Sequence, residues 1–312
     1  MLFKSFKRRY DNFSRVLAAS DLETTYRIYG ALSLVRDPVA RRFSVIRANM
    51  DYLEKKFSYL IERYQDAPHV QEANQGPIWV FWWQGEEAMP PIVRKCYEQL
   101  LKMAPANHPV QLVTKDNLAG FISLPEHILS LLHSGHITLT HFSDICRATL
   151  LSEHGGMWFD STVYVASPIQ ENLFETPYFS GKAPYNSKFV NRCMYTGFMI
   201  GGAKRAPWFC FLRDFLFDYW KTRGALLDYL LIDYALTMAL DHLPTIREDV
   251  SRGIVHTDYI HTLEAIRNEP YDEAKYKEMV SSCPFFKMSY KLPNVEHTPK
   301  GKLTYYGYLL QS

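Results

Sequence analysis

The spacing of hydrophobic residues changes along the chain, and each spacing predicts a different element. Over residues 39–64, apolar positions recur in alternating steps of four and three, which is typical of one long amphipathic helix ending near Gln65. We expect this stripe to pack on the rest of the chain, with a dimer seam through residues 39–64 as the alternative. After a polar linker at residues 71–77, short apolar runs alternate with helical patterns.

That alternation predicts an α/β fold with a mostly parallel sheet flanked by helices. The predicted strands are residues 78–83, 110–113, 162–165, 178–180 and 196–200, and the main predicted helices are residues 92–103, 207–221 and 226–240. Beyond Pro244 the patterns weaken, although the aromatic tail at residues 302–310 is expected to pack back on the body. We therefore divide the chain into an N-terminal helical extension, residues 1–75, and one α/β domain, residues 76–312.

Residues 141–164, HFSDICRATLLSEHGGMWFDSTVY, are the most informative stretch. Ser143 and Asp144 are predicted to begin a helix, where a carboxylate suits the positive end of the helix dipole. Asp144 and Arg147 are three residues apart and therefore share one helical face. Two glycines then allow the positive φ that ends a helix, and the apolar strand after them stops at Asp160. Ligands bind at this edge of open α/β sheets.

Composition narrows the classes of function. The 35 basic and 33 acidic residues give no overall attraction to nucleic acid. Five cysteines without a CxxC pair favour reduced thiols, and no apolar run reaches the roughly 18 to 20 residues of a membrane span. The expected location is the cytoplasm. Basic and aromatic residues alternate over residues 1–16, which predicts peripheral contact with the inner face of the membrane, with a solvated helical terminus as the alternative.

Several residues could carry chemistry. Asp160 could bind a divalent cation that neutralises a pyrophosphate, with Arg147 adding a bidentate contact; the alternative is an ordinary ion pair and a turn cap. Trp82 and Trp83 should face opposite sides of the first strand, so one could stack on a base unless both are buried. Asp228 and Asp233 lie five apart on one predicted helix, so only one could reach a given site. Phosphate-loop and serine-elbow motifs are absent from the sequence.

The order WWQG, SDICR, GGMWFDST and TGFMIGG resembles that of the capsular polysaccharide synthesis proteins. These are similar to a wider set of glycosyltransferases with a DxD motif, including initiating mannosyltransferases and large glucosylating toxins. The resemblance implies a GT-A (Rossmann-like) fold, a UDP-sugar donor, Mn²⁺ or Mg²⁺, and retention of anomeric configuration. The implied acceptor is a surface polysaccharide or a lipid-linked oligosaccharide.

The resemblance also implies residue roles. Trp82 or Trp83 would stack on the nucleobase beside Gln84, and Asp144 and Arg147 would hold the ribose and the donor sugar. Asp160 would be the first acid of the DxD and face the metal, next to Ser161. Residues 195–202, including Gly201, would line the cleft for donor and acceptor. Apart from the resemblance, we expect Asp233 to be the reserve candidate for holding the acceptor hydroxyl.

One position departs from the family pattern. Thr162 stands where the second DxD carboxylate is expected, and it offers the metal only a neutral oxygen. We expect weaker metal dependence, with His297 as a compensating ligand. The alternatives are a non-catalytic protein that binds a nucleotide-sugar or a glycan, and a scaffold in a polysaccharide synthesis complex.

Overall fold

The computed structural model describes residues 13–184, 186, 188–222 and 225–312. Its strands are β1 Ile78–Phe81, β2 Val110–Val113, β3 Gly156–Phe159, β4 Val163–Val165, β5 Tyr178–Lys182, β6 Met199–Gly202, β7 Ile254–His256 and β8 Phe285–Lys287. A central sheet has the order β2-β1-β3-β6-β5-β7, and β4 pairs with β8 in a separate two-stranded sheet. Within the central sheet, β6 is antiparallel to both of its neighbours, and the other strands share one direction. The predicted mostly parallel α/β sheet is confirmed.

Helices surround the sheet. They are α1 Leu22–Leu34, α2 Pro38–Lys56, α3 Ser58–Tyr64, α4 Pro91–Met103, α5 Leu118–Phe121, α6 Glu126–His133, α7 Leu139–His154, α8 Pro207–Thr222, α9 Leu231–His242, α10 Pro244–Arg252, α11 Thr262–Ala265, α12 Glu273–Ser282 and α13 Tyr305–Gln311. Short 3₁₀ helices occupy Glu86–Ala88 and Glu171–Phe174. No helix in the described part of the chain combines the length and apolarity that a membrane span needs.

Alternation along the strands creates a hydrophobic core on each side of the sheet. Trp79 of β1 and Trp158 of β3 face the first core, which also contains buried side chains of α7, α8 and α9. Val80 and Met157 face the second core, which includes α4 and the C-terminal helix α13. The C-terminal tail therefore packs back on the body, as predicted, with Leu309 fully buried.

The single long helix predicted over residues 39–64 is wrong, because the chain breaks between α2 and α3. Phe57 leaves helical geometry at φ −112° and ψ 22°, and its ring packs 4.5 Å from that of Phe215 on α8. The break lets Tyr64 reach α8, where its hydroxyl donates to Asp214 at 2.8 Å. Packing on the chain is confirmed for the second half of the stripe, whereas Phe43 is 50% exposed. The dimer seam stays a prediction.

Two helix starts also differ from expectation. Helix α7 begins at Leu139, because the side chain of Thr138 accepts a hydrogen bond from the backbone of His141 and caps it. Asp144 therefore lies in the second turn, and its predicted role at the helix start is wrong. Helix α9 begins only at Leu231, because Asp228 accepts a hydrogen bond from the backbone of Leu230 and forms a turn before the helix. Asp228 and Asp233 are not on one helix.

The predicted strands are present, but the bounds of several differ from those predicted. The first strand ends at Phe81, before the two tryptophans, and the strand predicted at residues 196–200 runs over Met199–Gly202. Its start moves because the Thr196 backbone donates to the Ser180 side chain instead of joining the ladder. Strands β7 and β8, beyond Pro244, were not predicted.

The proposed division into residues 1–75 and 76–312 stays a prediction. Leu53 and Leu60, from the proposed extension, are fully buried in the same core as the sheet residues Trp79 and Trp158. Most of the basic segment, residues 1–16, lies outside the described residues. Its membrane contact therefore stays a prediction as well.

Substituting Gly156 tests the glycine stop between α7 and β3. Gly155 and Gly156 adopt the predicted positive φ, 70° and 98°, and a Cβ on Gly156 would lie 2.1 Å from the Pro77 carbonyl oxygen. We expect Gly156→Ala to lower the free energy of unfolding by about 3 kcal/mol or more, measured by urea denaturation. The control is Gly30→Ala, because a Cβ on this α1 residue meets nothing within 4 Å. Equal stability of the two variants would contradict this account.

Candidate functional site

Charged side chains from four parts of the chain meet at the carboxyl end of β3. Helix α7 provides Asp144 and Arg147, and Asp160 follows β3 directly, as predicted. Asp233 comes from the first turn of α9, and Lys287 ends β8. We call these five residues the charged cluster.

Arg147 is the central residue of the charged cluster. Its Nη2 lies 3.0 Å from Asp160 Oδ1 and 3.3 Å from Asp144 Oδ1, and its Nη1 donates to the Gly197 carbonyl at 2.6 Å. The guanidinium carbon lies 4.8 Å from the centre of the Trp158 ring. Only 6% of the side chain is exposed. The predicted pairing of Asp144 with Arg147 across one helical turn is confirmed.

Asp160 is held as a carboxylate. Its Oδ1 accepts from Trp158 Nε1 at 2.8 Å as well as from Arg147, and its Oδ2 accepts from Lys287 Nζ at 2.7 Å. Burial by itself would raise the pKa of Asp160, but the charges of Lys287 and Arg147 outweigh it and lower this pKa below its ordinary value. Asp160 is therefore ionised across the neutral range, and 28% of its side chain is exposed.

Asp144 and Asp233 differ from Asp160 in their titration. Burial raises the pKa of Asp144 to about 7, with the charge of Asp160 adding to it and Arg147 opposing it. Burial also raises the pKa of Asp233 to about 7, with Asp144 adding and Arg147 opposing. A Cβ on Gly197 would lie 3.6 Å from both Asp233 Oδ1 and Arg147 Nη1, so these two side chains flank the same backbone segment. Groups of this pKa can accept or donate a proton near neutral pH.

Lys287 reaches the cluster through the small β4–β8 sheet. The antiparallel register pairs Lys287 with Val163, one residue after Thr162. Its Nζ donates to Thr162 Oγ1 at 2.8 Å, in addition to Asp160. Lys287 was not predicted. The signal for it is weak, a short apolar run at Phe285–Lys287 that ends on a charged residue.

The predicted metal ligands are only partly brought together. Asp160 and Thr162 are close, but the oxygens that they would offer to a metal accept hydrogen bonds from one ammonium. His297 is exposed, and its segment pairs with Leu303 in an isolated bridge. Among the described residues, no group of three or more His, Cys, Asp or Glu side chains is arranged to hold a metal. The residues present therefore do not fit a divalent cation in the arrangement that the resemblance implies.

The two tryptophans face opposite sides of the sheet, as predicted. Trp83 packs on the first core, with its ring 5.3 Å from that of Phe142. Trp82 packs on the second core, and its ring lies nearly perpendicular to that of Tyr290, with 5.6 Å between the ring centres. The Trp82 Nε1 is buried and has no hydrogen-bond partner, although both rings remain half-buried.

The remaining predicted site residues lie in different surroundings. Gln84 is exposed after β1, and Ser161 is half-buried in the turn after Asp160. Gly201 is buried within β6, where an added Cβ would lie 2.6 Å from the Gly156 carbonyl oxygen. Its position allows close strand packing. Within residues 195–202, the Gly197 carbonyl accepts from Arg147, and the Phe198 carbonyl accepts from the Asp160 amide. The Tyr195 hydroxyl donates to the Asp233 backbone carbonyl.

A comparison with protein-family models assigns the chain. Residues 38–309 match the model for capsular polysaccharide synthesis proteins. The chain belongs to this family. No curated protein matches it significantly. In this member of the family, the match spans α2 and α3 as well as the sheet, and every residue of the charged cluster lies within it.

The charged cluster is separate from a depression near the amino ends of the strands. That depression, of about 410 Å³, is lined by residues that precede β1, β2 and β3, including Gly76, Pro109 and His154. The carboxyl end of β3, with Asp160, is at the opposite edge of these strands. The depression therefore contains none of the predicted site residues.

Replacing Asp233 should show how much the ionised form of this buried acid lowers the stability of the fold. Its folded-state pKa lies above the unfolded value of about 4, so the folded state holds its proton more tightly and stability falls as pH rises from about 4 to about 7. We expect Asp233→Asn to melt several degrees higher than wild type at pH 8, with the difference shrinking as pH falls toward 4. Melting curves over this range measure it. A difference independent of pH would refute the pKa assignment.

Proposed function

We propose that this protein is a glycosyltransferase that moves a hexose from a nucleotide-sugar, a UDP-sugar, to a polysaccharide or lipid-linked oligosaccharide acceptor. The observation that carries the proposal is the network joining Asp160, Arg147 and Asp144 at the carboxyl end of β3 in a member of the capsular polysaccharide synthesis family. This edge of an α/β sheet is where ligands bind.

The charges of the network suit a nucleotide-sugar. The donor brings an anionic diphosphate, and guanidinium groups recognise phosphate oxygens by charge-assisted hydrogen bonds. Asp160 is ionised and 28% exposed, so it can accept a hydrogen bond from a ribose or sugar hydroxyl. The raised pKa values of Asp144 and Asp233 let either group accept or donate a hydrogen bond to a hydroxyl near neutral pH.

We propose a retaining reaction. The bond between the anomeric carbon and the diphosphate oxygen breaks, and a bond to the acceptor oxygen forms on the same face of the sugar. The acceptor proton passes to the departing diphosphate, so no separate base is required. The contribution of the protein is then electrostatic stabilisation of the leaving group by positioned charges. We assign the orientation of the acceptor hydroxyl to Asp233.

The place of the reaction follows from the acceptor. A growing surface polysaccharide or a lipid-linked oligosaccharide is assembled at a membrane, which suits a cytoplasmic enzyme attached through residues 1–16. Self-association through residues 39–64 would use the exposed part of the α2 stripe, where Val39 and Phe43 are solvent-accessible. Both contacts are proposals that accompany the enzymatic one.

Asp160→Asn tests the catalytic assignment. The amide keeps the size of the side chain but removes the negative charge between Arg147 and Lys287, so Lys287 loses its carboxylate partner and Arg147 loses one of its two. We expect the rate of donor hydrolysis to fall by about 100-fold or more, because the charges of the site lose their arrangement. The measurement is UDP released from a panel of UDP-sugars.

The matched control is Asp51→Asn. Asp51 makes the same kind of ion pair with Arg27, but both side chains are about 41% exposed and lie on the N-terminal helices. Its activity should equal that of wild type. Equal activity of Asp160→Asn and wild type would reject the assignment. UDP binding without turnover on any donor or acceptor would instead favour the non-catalytic alternative.

Trp82 is the tryptophan that we propose for base stacking. Trp83 packs between the rings of Phe81 and Phe142, whereas Trp82 is beside the half-exposed Tyr290 and has an unpaired Nε1. We expect Trp82→Ala to weaken UDP binding by about 10-fold or more, the effect of losing one stacked base. Calorimetry with UDP measures it. Trp83→Ala should instead mainly lower the melting temperature, and the reverse pattern would exchange the two roles.

A further inference from the structure

We propose that the ammonium group of Lys287 takes the place of a divalent cation, so that this protein binds the nucleotide diphosphate without a metal. The inference rests on the function proposed above. Its starting point is that Asp160 and Thr162, the two residues that a metal would need, both accept hydrogen bonds from Lys287 Nζ, at 2.7 and 2.8 Å.

Both oxygens of the Asp160 carboxylate already accept hydrogen bonds from the protein. Asp160 Oδ1 accepts from Trp158 and Arg147, and Asp160 Oδ2 accepts from Lys287. Divalent cations bind carboxylate oxygens at about 2.0 to 2.6 Å, which would place the ion against the ammonium. Two like charges at that separation repel strongly in a partly buried site. A metal could bind there only after Lys287 had moved away.

The backbone on both sides of Lys287 is fixed. Its amide donates to the Ile260 carbonyl at 2.7 Å, and the amide of Met288 donates to the Thr162 carbonyl at 2.8 Å. The β4–β8 register therefore ties the lysine to the turn that contains Asp160 and Thr162. The ammonium also lies 4.9 Å from the centre of the Phe198 ring, which adds a cation–π contact. These contacts position the charge before a ligand arrives.

The ammonium can still reach a ligand. A lysine has three donors, and the two contacts to Asp160 and Thr162 use two of them. The Lys287 side chain is 21% exposed, so its charge is partly shielded from water yet accessible. Arg147 contributes a second positive charge on the other oxygen of Asp160. Together, the two side chains supply the charge of one divalent ion.

The test compares UDP binding in EDTA with binding in Mn²⁺, by calorimetry on the full chain, with GDP in parallel. For wild type we expect the UDP affinities in EDTA and in Mn²⁺ to lie within about threefold of each other, because no metal bound by the protein contributes to the complex. Lys287→Met should weaken binding in EDTA by about 10- to 100-fold, as expected for losing a charge-assisted contact. Lys277→Met is the matched control, because Lys277 is 73% exposed and forms its ion pair with Glu273 on α12, away from the charged cluster.

A second variant keeps the test decisive if Lys287→Met does not fold. Thr162→Asp combined with Lys287→Ala restores two acids and removes the ammonium, so UDP binding should become Mn²⁺-dependent. Electron paramagnetic resonance of Mn²⁺, without nucleotide, should show binding to this variant and none to wild type.

The outcomes separate the two proposals. Wild type that binds UDP only with Mn²⁺, or that binds Mn²⁺ by itself, overturns the role of Lys287 and leaves the glycosyltransferase proposal intact. Absence of binding to either nucleotide under both conditions overturns the proposed function and this inference with it. Binding in EDTA that depends on Lys287 supports both.

Discussion

The carboxylate of Asp160 is the group on which the candidate site depends. Its two oxygens accept hydrogen bonds from Trp158, Arg147 and Lys287, which belong to β3, α7 and β8. One partly buried anion thus joins three elements, one of which, β8, is distant in sequence. Without it, two cations would share a partly buried space with no common partner, which is strongly unfavourable. The arrangement of the site is therefore also a constraint on the fold.

Close approach of backbone segments sets where this carboxylate lies. An added Cβ on Gly76 would be 2.3 Å from the Gly156 amide nitrogen, and one on Gly201 would be 2.6 Å from the Gly156 carbonyl oxygen. Only glycine allows the chain to pack this tightly on both sides of β3. The resulting register turns Trp158 toward α7, and Asp160, two residues later, lies on the same side. Glycines at one end of the strand thereby place the acid at the other end.

The parts of the site that sequence predicted are those that depend on local spacing. Asp144 and Arg147 were paired from their separation of three residues, and Asp160 was placed from the glycines and the short apolar strand before it. Lys287 was missed because it is 127 residues from Asp160 and its strand pairs only with β4. The break at Phe57 was missed for a similar reason, since the apolar spacing continues through it and its ring contacts are with Phe215 and Tyr219 on α8, far away in sequence.

If the cluster binds an anionic ligand, as proposed, its charge balance would couple that binding to protons. Arg147 and Lys287 carry two positive charges, and Asp160 carries one negative charge throughout the neutral range. Asp144 and Asp233 have pKa values raised to about 7, so their protonation determines the net charge of the cluster near neutral pH. When both are protonated, the cluster has an excess positive charge, and when both are ionised, an excess negative one. An anionic ligand favours the first state, so a diphosphate would draw protons onto these two acids as it binds. The same two acids would then be hydrogen-bond donors to the ligand instead of charges that repel it.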